Sequence, residues 1–251
     1  MAGNSTGDLC QVDRVWFGWG LTIPGVAHTV MTVMVMIVFA SMTKTYPAYI
    51  LFVGLAVCDL GNILSNTWFG GVCSLWKNCV GVDYSYVTQA GNFNAGVYHQ
   101  IAIAITRFYA LVFPLRYKSE LTHRRCYAIC VACFVIGWTH FQITNMFDYF
   151  HFKYDPERCG YAYTNPDHPN FHIVPYHWII YEAATIVICG FFYLSAAIFH
   201  KKLPQGQGSQ SNQKAEQKLA IISAINSSFL ALIIVMHNIL PLMFKGSTAF
   251  M

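Results

Sequence analysis

The stretch Ile101-Ala-Ile-Ala-Ile-Thr-Arg107-Phe-Tyr-Ala-Leu-Val-Phe-Pro114-Leu-Arg-Tyr117 decides how this chain is interpreted. An apolar segment of helical length ends in a single arginine, and a second apolar run leads to a proline turn. An arginine at the end of a membrane helix is costly unless it has a partner or reaches water, so Arg107 is a candidate functional residue. On the arginine alone, a residue that only anchors the helix at the headgroups is an equal alternative. The basic residues beyond the proline favour the functional interpretation: Arg116, Lys118, Arg124 and Arg125.

The composition indicates a polytopic membrane protein. Of the 251 residues, 55% are hydrophobic and only 10% are charged, whereas soluble domains carry about 25% charged residues. The net charge of +4 does not indicate a nucleic-acid partner, because the basic residues lie in short loops between apolar segments. Cys130 and Cys133 lie within an apolar segment with no second pair of ligands nearby, so we predict neither a metal site nor a cofactor.

Six segments are long and apolar enough to cross a bilayer, which requires about 20 residues each. They run approximately over residues 25–42, 48–69, 84–112, 126–146, 177–199 and 219–244. The sequence therefore predicts an all-α, polytopic bundle of transmembrane helices. Residues 1–24 form an outer N-terminus, residues 25–245 the membrane domain and residues 246–251 a short tail.

The distribution of lysine and arginine predicts the orientation, because cytoplasmic loops are enriched in both. Ten of the 15 fall on one side of the membrane: Lys44, Arg107, Arg116, Lys118, Arg124, Arg125, Lys201, Lys202, Lys214 and Lys218. We expect this side to be cytoplasmic and the N-terminus to be outside, where Asn4 begins a glycosylation sequon. The polar, basic linker between the last two segments either only retains this orientation or also contacts an intracellular partner.

Two further motifs join Thr106-Arg107-Phe108 and Pro114 in a resemblance to rhodopsin-like G-protein-coupled receptors. Leu55-Ala-Val-Cys-Asp59-Leu resembles the Leu-Ala-x-x-Asp-Leu of the second helix, and Trp138 occupies the place of the family's fourth-helix tryptophan. The resemblance covers about residues 48–200. Thr-Arg-Phe and Phe-Pro-Leu-x-Tyr are most similar to nematode serpentine chemoreceptors, especially class X.

The chain departs from the family pattern at several points. Thr106 stands where the family usually has an acid beside the arginine, and the sixth-helix Phe-x-x-Cys-Trp-x-Pro and seventh-helix Asn-Pro-x-x-Tyr do not occur. We therefore expect six spans of a seven-helix fold, with the seventh missing.

The resemblance implies roles for several residues. Arg107, Phe108 and Pro114 would form the G-protein-facing switch, with Glu216 as the remaining acidic partner of the arginine. Asp59 would lie in a water and sodium site, and Asn62 and Asn66 follow it at helical spacing. A protonated aspartate bonded to a neighbouring helix is the alternative. A disulfide would join Cys79 to Cys159; Cys73 and Cys10 are alternative partners.

Helical periodicity predicts a ligand pocket in the outer half of the third segment. Gln89 lies 18 residues before Arg107, which is about five turns of α-helix, and Tyr86 and Phe93 share its face. Glu182 is an acid in the otherwise apolar fifth segment, near His177 and Tyr181. It is either a counter-charge for a ligand or a protonated hydrogen-bonding group.

These features predict a chemosensory G-protein-coupled receptor rather than an enzyme. Its partners would be a small-molecule ligand, a heterotrimeric G protein and membrane lipid, and its location the plasma membrane, in a sensory cilium if it is a chemoreceptor. The alternatives are a truncated, non-signalling receptor and a six-helix transporter or channel. A transporter would be favoured by inverted repeats or paired discontinuous helices, which the sequence does not show.

Overall fold

The computed structural model describes residues 9–76, 82–155 and 160–202. This part of the chain is mostly helical. Its α-helices are α1 (Leu9–Met42), α2 (Tyr49–Ile63), α3 (Gly70–Trp76), α4 (Val82–Val112), α5 (Pro114–Glu120), α6 (His123–Asn145) and α7 (Ile173–Lys202). A π-helix (Leu64–Phe69) joins α2 to α3, and a turn of 3-10 helix (Asp148–Phe150) precedes strands β1 (Phe152–Asp155) and β2 (Gly160–Tyr163).

Four helical segments in the described ranges are long and apolar enough to cross a membrane. They are Gly18–Met42, Tyr49–Leu75, His123–Asn145 and Tyr176–Phe199, and they correspond to the first, second, fourth and fifth predicted spans. The third predicted span is the 31-residue helix α4, whose mean hydropathy is reduced by buried polar residues such as Asn94 and His99. The sixth predicted span, residues 219–244, lies outside the described residues.

The first helix begins earlier than the sequence predicted. Helix α1 starts at Leu9, inside the stretch assigned to the outer N-terminus, and its apolar part starts at Gly18 rather than at residue 25. The reason is that aromatic and aliphatic residues before Gly25 continue the helical apolar surface. Large apolar side chains along α1 are exposed, among them Ile23, Met31 and Met34, as expected for a surface that faces lipid.

The described residues divide into two compact units. The first contains the described parts of Met1–His99 and Cys126–Phe171, and the second those of Gln100–Arg125 and His172–Met251. In the first unit, small residues let helices approach closely. A Cβ on Gly54 of α2 would meet His99 Nε2 and Cys130 Sγ, and one on Gly137 of α6 would meet the backbone of Ala95. Helices α2, α4 and α6 therefore pack around these glycines.

An antiparallel hairpin follows α6 and was not part of the predicted all-α fold. Strand β1 pairs with β2 so that Phe152 lies opposite Tyr163 and Asp155 opposite Gly160. Aromatic contacts accompany the hairpin: Tyr149 stacks on His168 with centroids 5.0 Å apart, and Tyr163 meets Phe171 edge-on at 4.8 Å. Two strands of four residues are too short to give a periodicity that stands out from the sequence.

In the second unit, the inner part of α4 packs against α7. Phe108 contacts Phe192 and Phe199 edge-on, with centroids 5.6 and 6.3 Å apart. Helix α4 ends at Val112, and only Phe113 separates it from Pro114, the first residue of α5. Proline fits the first helical position because its missing N–H would have no partner there. The turn therefore directs α5 back towards the end of α4.

Candidate functional site

Arg107 is the centre of the candidate site at the C-terminal end of α4. Its side chain is 1% exposed and is the largest fully buried side chain of the described residues. Burying a guanidinium is costly unless it is hydrogen-bonded. Arg107 Nη2 donates a hydrogen bond to the Tyr117 hydroxyl at 3.3 Å. Because Phe113 is the only residue between the two helices, Tyr117 lies one turn into α5 and reaches the arginine.

Thr106 does not replace the acid that usually accompanies this arginine. Its side chain is 6% exposed, and its Oγ1 donates a hydrogen bond at 2.9 Å to the backbone oxygen of Ile103, one turn earlier. This bond is common for threonine within helices and satisfies the hydroxyl locally. The Thr106 hydroxyl is therefore used within α4.

A second set of hydrogen bonds joins α5 to its neighbours. The Tyr109 hydroxyl donates to Glu120 Oε2 at 2.9 Å, and Arg125 Nη1 donates to the Glu120 backbone oxygen at 2.9 Å. Helix α6 begins after Thr122, whose Oγ1 accepts a hydrogen bond from the Arg125 backbone N–H. Helix α5 is thus attached at its middle by Tyr117 and at its end by Glu120.

The predicted switch residues have different environments. Phe108 is half-buried and packs against α7, as described above. Pro114 is exposed at the start of α5, next to Leu115, which is 86% exposed. Glu216 lies outside the described residues. Tyr117 and Glu120 were not predicted from the sequence, although a tyrosine one turn after a helix-starting proline was a usable signal.

The predicted intramembrane polar site differs from the expected buried stripe. Asp59 is exposed and forms no hydrogen bond or ion pair with a described residue, and Asn66 is also exposed. Asn62 is partly buried, and its Oδ1 has no hydrogen-bond partner among the described residues. The spacing argument assumed a continuous α-helix, but the π-helix from Leu64 has i→i+5 bonding, which changes the face that Asn66 occupies.

The predicted ligand residues of the first unit lie on the outer part of α4. Gln89 is partly buried and its Oε1 has no partner among the described residues, while Phe93 is half-buried. Tyr86 is within α4, but its side chain lies outside the described residues. Asn94, which sequence reasoning missed, is fully buried, and neither atom of its amide has a described partner. Buried polar groups without a hydrogen-bond partner are uncommon in proteins and need an explanation.

The predicted ligand residues of the second unit lie near the outer end of α7. His177 and Tyr181 stack nearly parallel, with an interplanar angle of 9° and centroids 6.3 Å apart. Trp178 meets both rings edge-on. Glu182 follows Tyr181 and is half-buried. The structure therefore brings together His177 and Tyr181 in an aromatic cluster, with a carboxylate next in sequence.

Comparison with known proteins identifies the family. The family model described as "7 transmembrane receptor (rhodopsin family)" matches residues 30–248. The chain belongs to the rhodopsin family of seven-transmembrane receptors. A crystal structure of squid rhodopsin is similar in fold, with a TM-score of 0.73 and 16% sequence identity over 97% of this chain and 79% of that chain. A comparison with curated proteins gave no match.

This membership confirms the predicted family and fold class, and the receptor is an integral membrane protein. It also assigns the chain to receptors and not to the alternative class of transporters and channels. Members of the family generally bind a ligand and a G protein. The nematode chemoreceptor class stays a prediction.

The cysteines of the receptor fall into two groups. Cys73, in α3, is disulfide-bonded. Five cysteines within the helices are free thiols, namely Cys58, Cys126, Cys130, Cys133 and Cys189, so none of them is its partner. The predicted pair Cys79–Cys159 and the sequon at Asn4 lie outside the described residues. The described residues contain no group of three or more metal-ligating side chains that could hold a metal ion.

Buried histidines of the receptor serve packing. His99 is fully buried, with Nδ1 2.8 Å from the Ala95 oxygen and Nε2 3.4 Å from Cys130 Sγ. His140 lies 3.4 Å from the Tyr98 hydroxyl.

Proposed function

We propose that this receptor is a chemosensory receptor that binds a small molecule on its outer side and activates a heterotrimeric G protein on its inner side. The observation that carries the proposal is the buried Arg107, held by Tyr117 next to a short, largely exposed helix. Burying a guanidinium at this end of the helix costs stability. A role in switching would explain why the chain has an arginine there. Glu216 is proposed as an additional partner of Arg107.

The mechanism requires two arrangements of the helices and no chemistry of the protein's own. A ligand that binds one arrangement more tightly shifts the population towards it. In the resting arrangement Arg107 is buried and bonded to Tyr117. In the active arrangement Arg107 would separate from Tyr117 and contact the G protein, together with exposed residues at the start of α5 such as Pro114.

Buried amide groups that have no hydrogen-bond partner among the described residues support a polar ligand. Gln89 Oε1 and the Asn94 amide could accept or donate hydrogen bonds to such a molecule, which would remove the cost of burying them alone. Tyr86 and Phe93 would supply apolar contacts. On α7, the His177 and Tyr181 rings offer a stacking surface, and Glu182 would pair with a cationic group.

Several finer proposals follow from the sequence. The N-terminus would face outwards, the receptor would reside in the plasma membrane or a sensory cilium, and Asn4 would carry a glycan. Asp59, Asn62 and Asn66 would form a polar site within the membrane. Cys79 would pair with Cys159, which leaves Cys10 as the partner of Cys73, whose disulfide supports an oxidising environment on that side.

The test of the proposed function is a pair of charge-removing variants on the same side of the membrane. Arg107→Ala should abolish G-protein reporter activity in cells while surface expression is retained, because the coupling residue is lost. Lys44→Ala removes an exposed charge from another predicted cytoplasmic loop and should signal like the parent. If Arg107→Ala signals like the parent, the arginine is only an anchor and the proposed mechanism is wrong.

A further inference from the structure

We propose that the Tyr117 hydroxyl holds Arg107 in the resting receptor and takes the place of the acid that position 106 lacks. Tyr117 would thus be a positioning residue that sets the level of ligand-independent signalling. This inference rests on the proposed receptor function, because it assigns the resting partner of the residue proposed to couple to the G protein.

The geometry at Arg107 supplies the first argument. Arg107 is 1% exposed, and its Nη2 lies 3.3 Å from the Tyr117 hydroxyl oxygen. Thr106, the adjacent residue, directs its hydroxyl to the Ile103 backbone oxygen. Thr106 therefore offers Arg107 no negative charge and no hydroxyl proton, and Tyr117 supplies an oxygen from α5.

The attachment of α5 supplies the second argument. The Tyr109 hydroxyl and the Arg125 guanidinium both bond to Glu120, at the end of α5, each at 2.9 Å. These bonds restrict the helix that carries Tyr117, so its hydroxyl is positioned before it meets the arginine. A preorganised acceptor loses less conformational entropy when the hydrogen bond forms. Movement of α5 would release Arg107.

The chemistry of the acceptor predicts a weak restraint. A phenol oxygen is neutral, whereas a carboxylate would add a charge–charge attraction to the hydrogen bond. The Tyr117 hydrogen bond should therefore restrain Arg107 less than a carboxylate at position 106 would. The expected consequence is measurable signalling without a ligand, which loss of the hydroxyl would increase further.

The first experiment compares Tyr117→Phe with Tyr127→Phe, in the full chain reconstituted in lipid nanodiscs. Tyr127 lies on α6 and is 59% exposed, so its variant is a matched loss of a phenol hydroxyl. The measurement is ligand-independent binding of GTPγS to a panel of purified heterotrimeric G proteins. Tyr117→Phe should raise this rate about three- to tenfold, the range expected for the loss of one ordinary hydrogen bond, and Tyr127→Phe should leave it unchanged. An unchanged rate for Tyr117→Phe, with Arg107→Ala inactive, overturns this inference and leaves the proposed function intact.

A rescue separates positioning from a general loss of packing. Thr106→Asp restores a carboxylate beside Arg107, so adding it to Tyr117→Phe should return the basal rate to the parent level or below. A variant that had only loosened the fold would not be corrected by an acid at position 106. Failure of the rescue would therefore contradict the assignment of Tyr117 as the partner of Arg107.

A second measurement needs no G protein and so does not depend on the proposed function. Amide hydrogen exchange of α5, residues 114–120, should increase about three- to tenfold in Tyr117→Phe and by a similar factor in Arg107→Ala. The double variant should show no further increase, because both changes remove the same bond. Additive increases would show that the two side chains act separately and would overturn the inference even if Arg107 proves essential for signalling.

Discussion

A threonine at position 106 changes what the neighbouring arginine needs from the rest of the chain. Without a carboxylate beside it, Arg107 bonds to a hydroxyl ten residues later, and the Thr106 side chain bonds to its own helix. A side-chain hydrogen bond between the long helix α4 and the short helix α5 couples their positions. The substitution of a single residue thus transfers a restraint from within α4 to the contact between α4 and α5.

In the first unit, the packing of the helices depends on the single residue Gly54. A Cβ there would meet His99 Nε2 and would lie 2.7 Å from Cys130 Sγ, and His99 is fully buried. We predict that Gly54→Ala destabilises the receptor by about 1–3 kcal/mol, because neighbouring helices must shift. Thermal unfolding in detergent measures this. Gly190→Ala is the control, since no atom of the described residues lies within 4 Å of its Cβ position. Equal melting temperatures for the two variants would contradict the packing described.

At the scale of elements, the π-helix Leu64–Phe69 is fixed by a contact with α1. Trp68 Nε1 donates a hydrogen bond to Thr29 Oγ1 at 2.9 Å. We predict that Trp68→Phe lowers stability by about 0.5–1.5 kcal/mol through loss of this bond. Thr29→Val removes the same hydrogen bond. The double variant should therefore lose less stability than the sum of the losses in the two single variants. Trp16→Phe, at a 75% exposed position, serves as the control, and full additivity would show that the bond contributes nothing.

The long helices were predictable from the sequence because each has a sustained apolar pattern. Helix α4 was found despite its lower hydropathy, since Arg107 and the motif after it marked its inner end. The π-helix could not be predicted, because no residue pattern distinguishes it from an α-helix and only its hydrogen bonding differs. As a result, the face assigned to Asn66 was not reliable. The hairpin was missed because four-residue strands carry too little alternation.

The candidate site was predictable in part, for the same physical reasons. Arg107 stood out because an intramembrane charge is costly wherever it lies. Tyr117 and Glu120 did not, since their role depends on the one-residue turn at Phe113 that folds α5 back onto α4. Asn94 carried no sequence signal beyond being a polar residue in a helix. Its complete burial is a property of the neighbouring helices.

At the scale of the whole molecule, the proposed orientation follows from the loop charges. We predict that the N-terminus is outside and that the linker of residues 206–213 is cytoplasmic, because lysine and arginine concentrate on that side. A glycosylation sequon inserted into this linker should remain unmodified when the chain is expressed with microsomes. A sequon added near Asn4 should be modified and serves as the positive control. A glycan on the linker would show that the orientation is the opposite of the predicted one, with Arg107 at the side of the membrane away from the G protein.

The central claim is that the inner end of α4 couples this receptor to a G protein. The most direct measurement is the rate at which the purified full chain, in lipid nanodiscs, promotes GTPγS binding to purified heterotrimeric G proteins. The account predicts a rate above that of empty nanodiscs for at least one G protein, and a return to the empty-nanodisc rate for Arg107→Ala. Equal rates for Arg107→Ala and the parent chain, or a parent rate no higher than that of empty nanodiscs with every G protein, would contradict it.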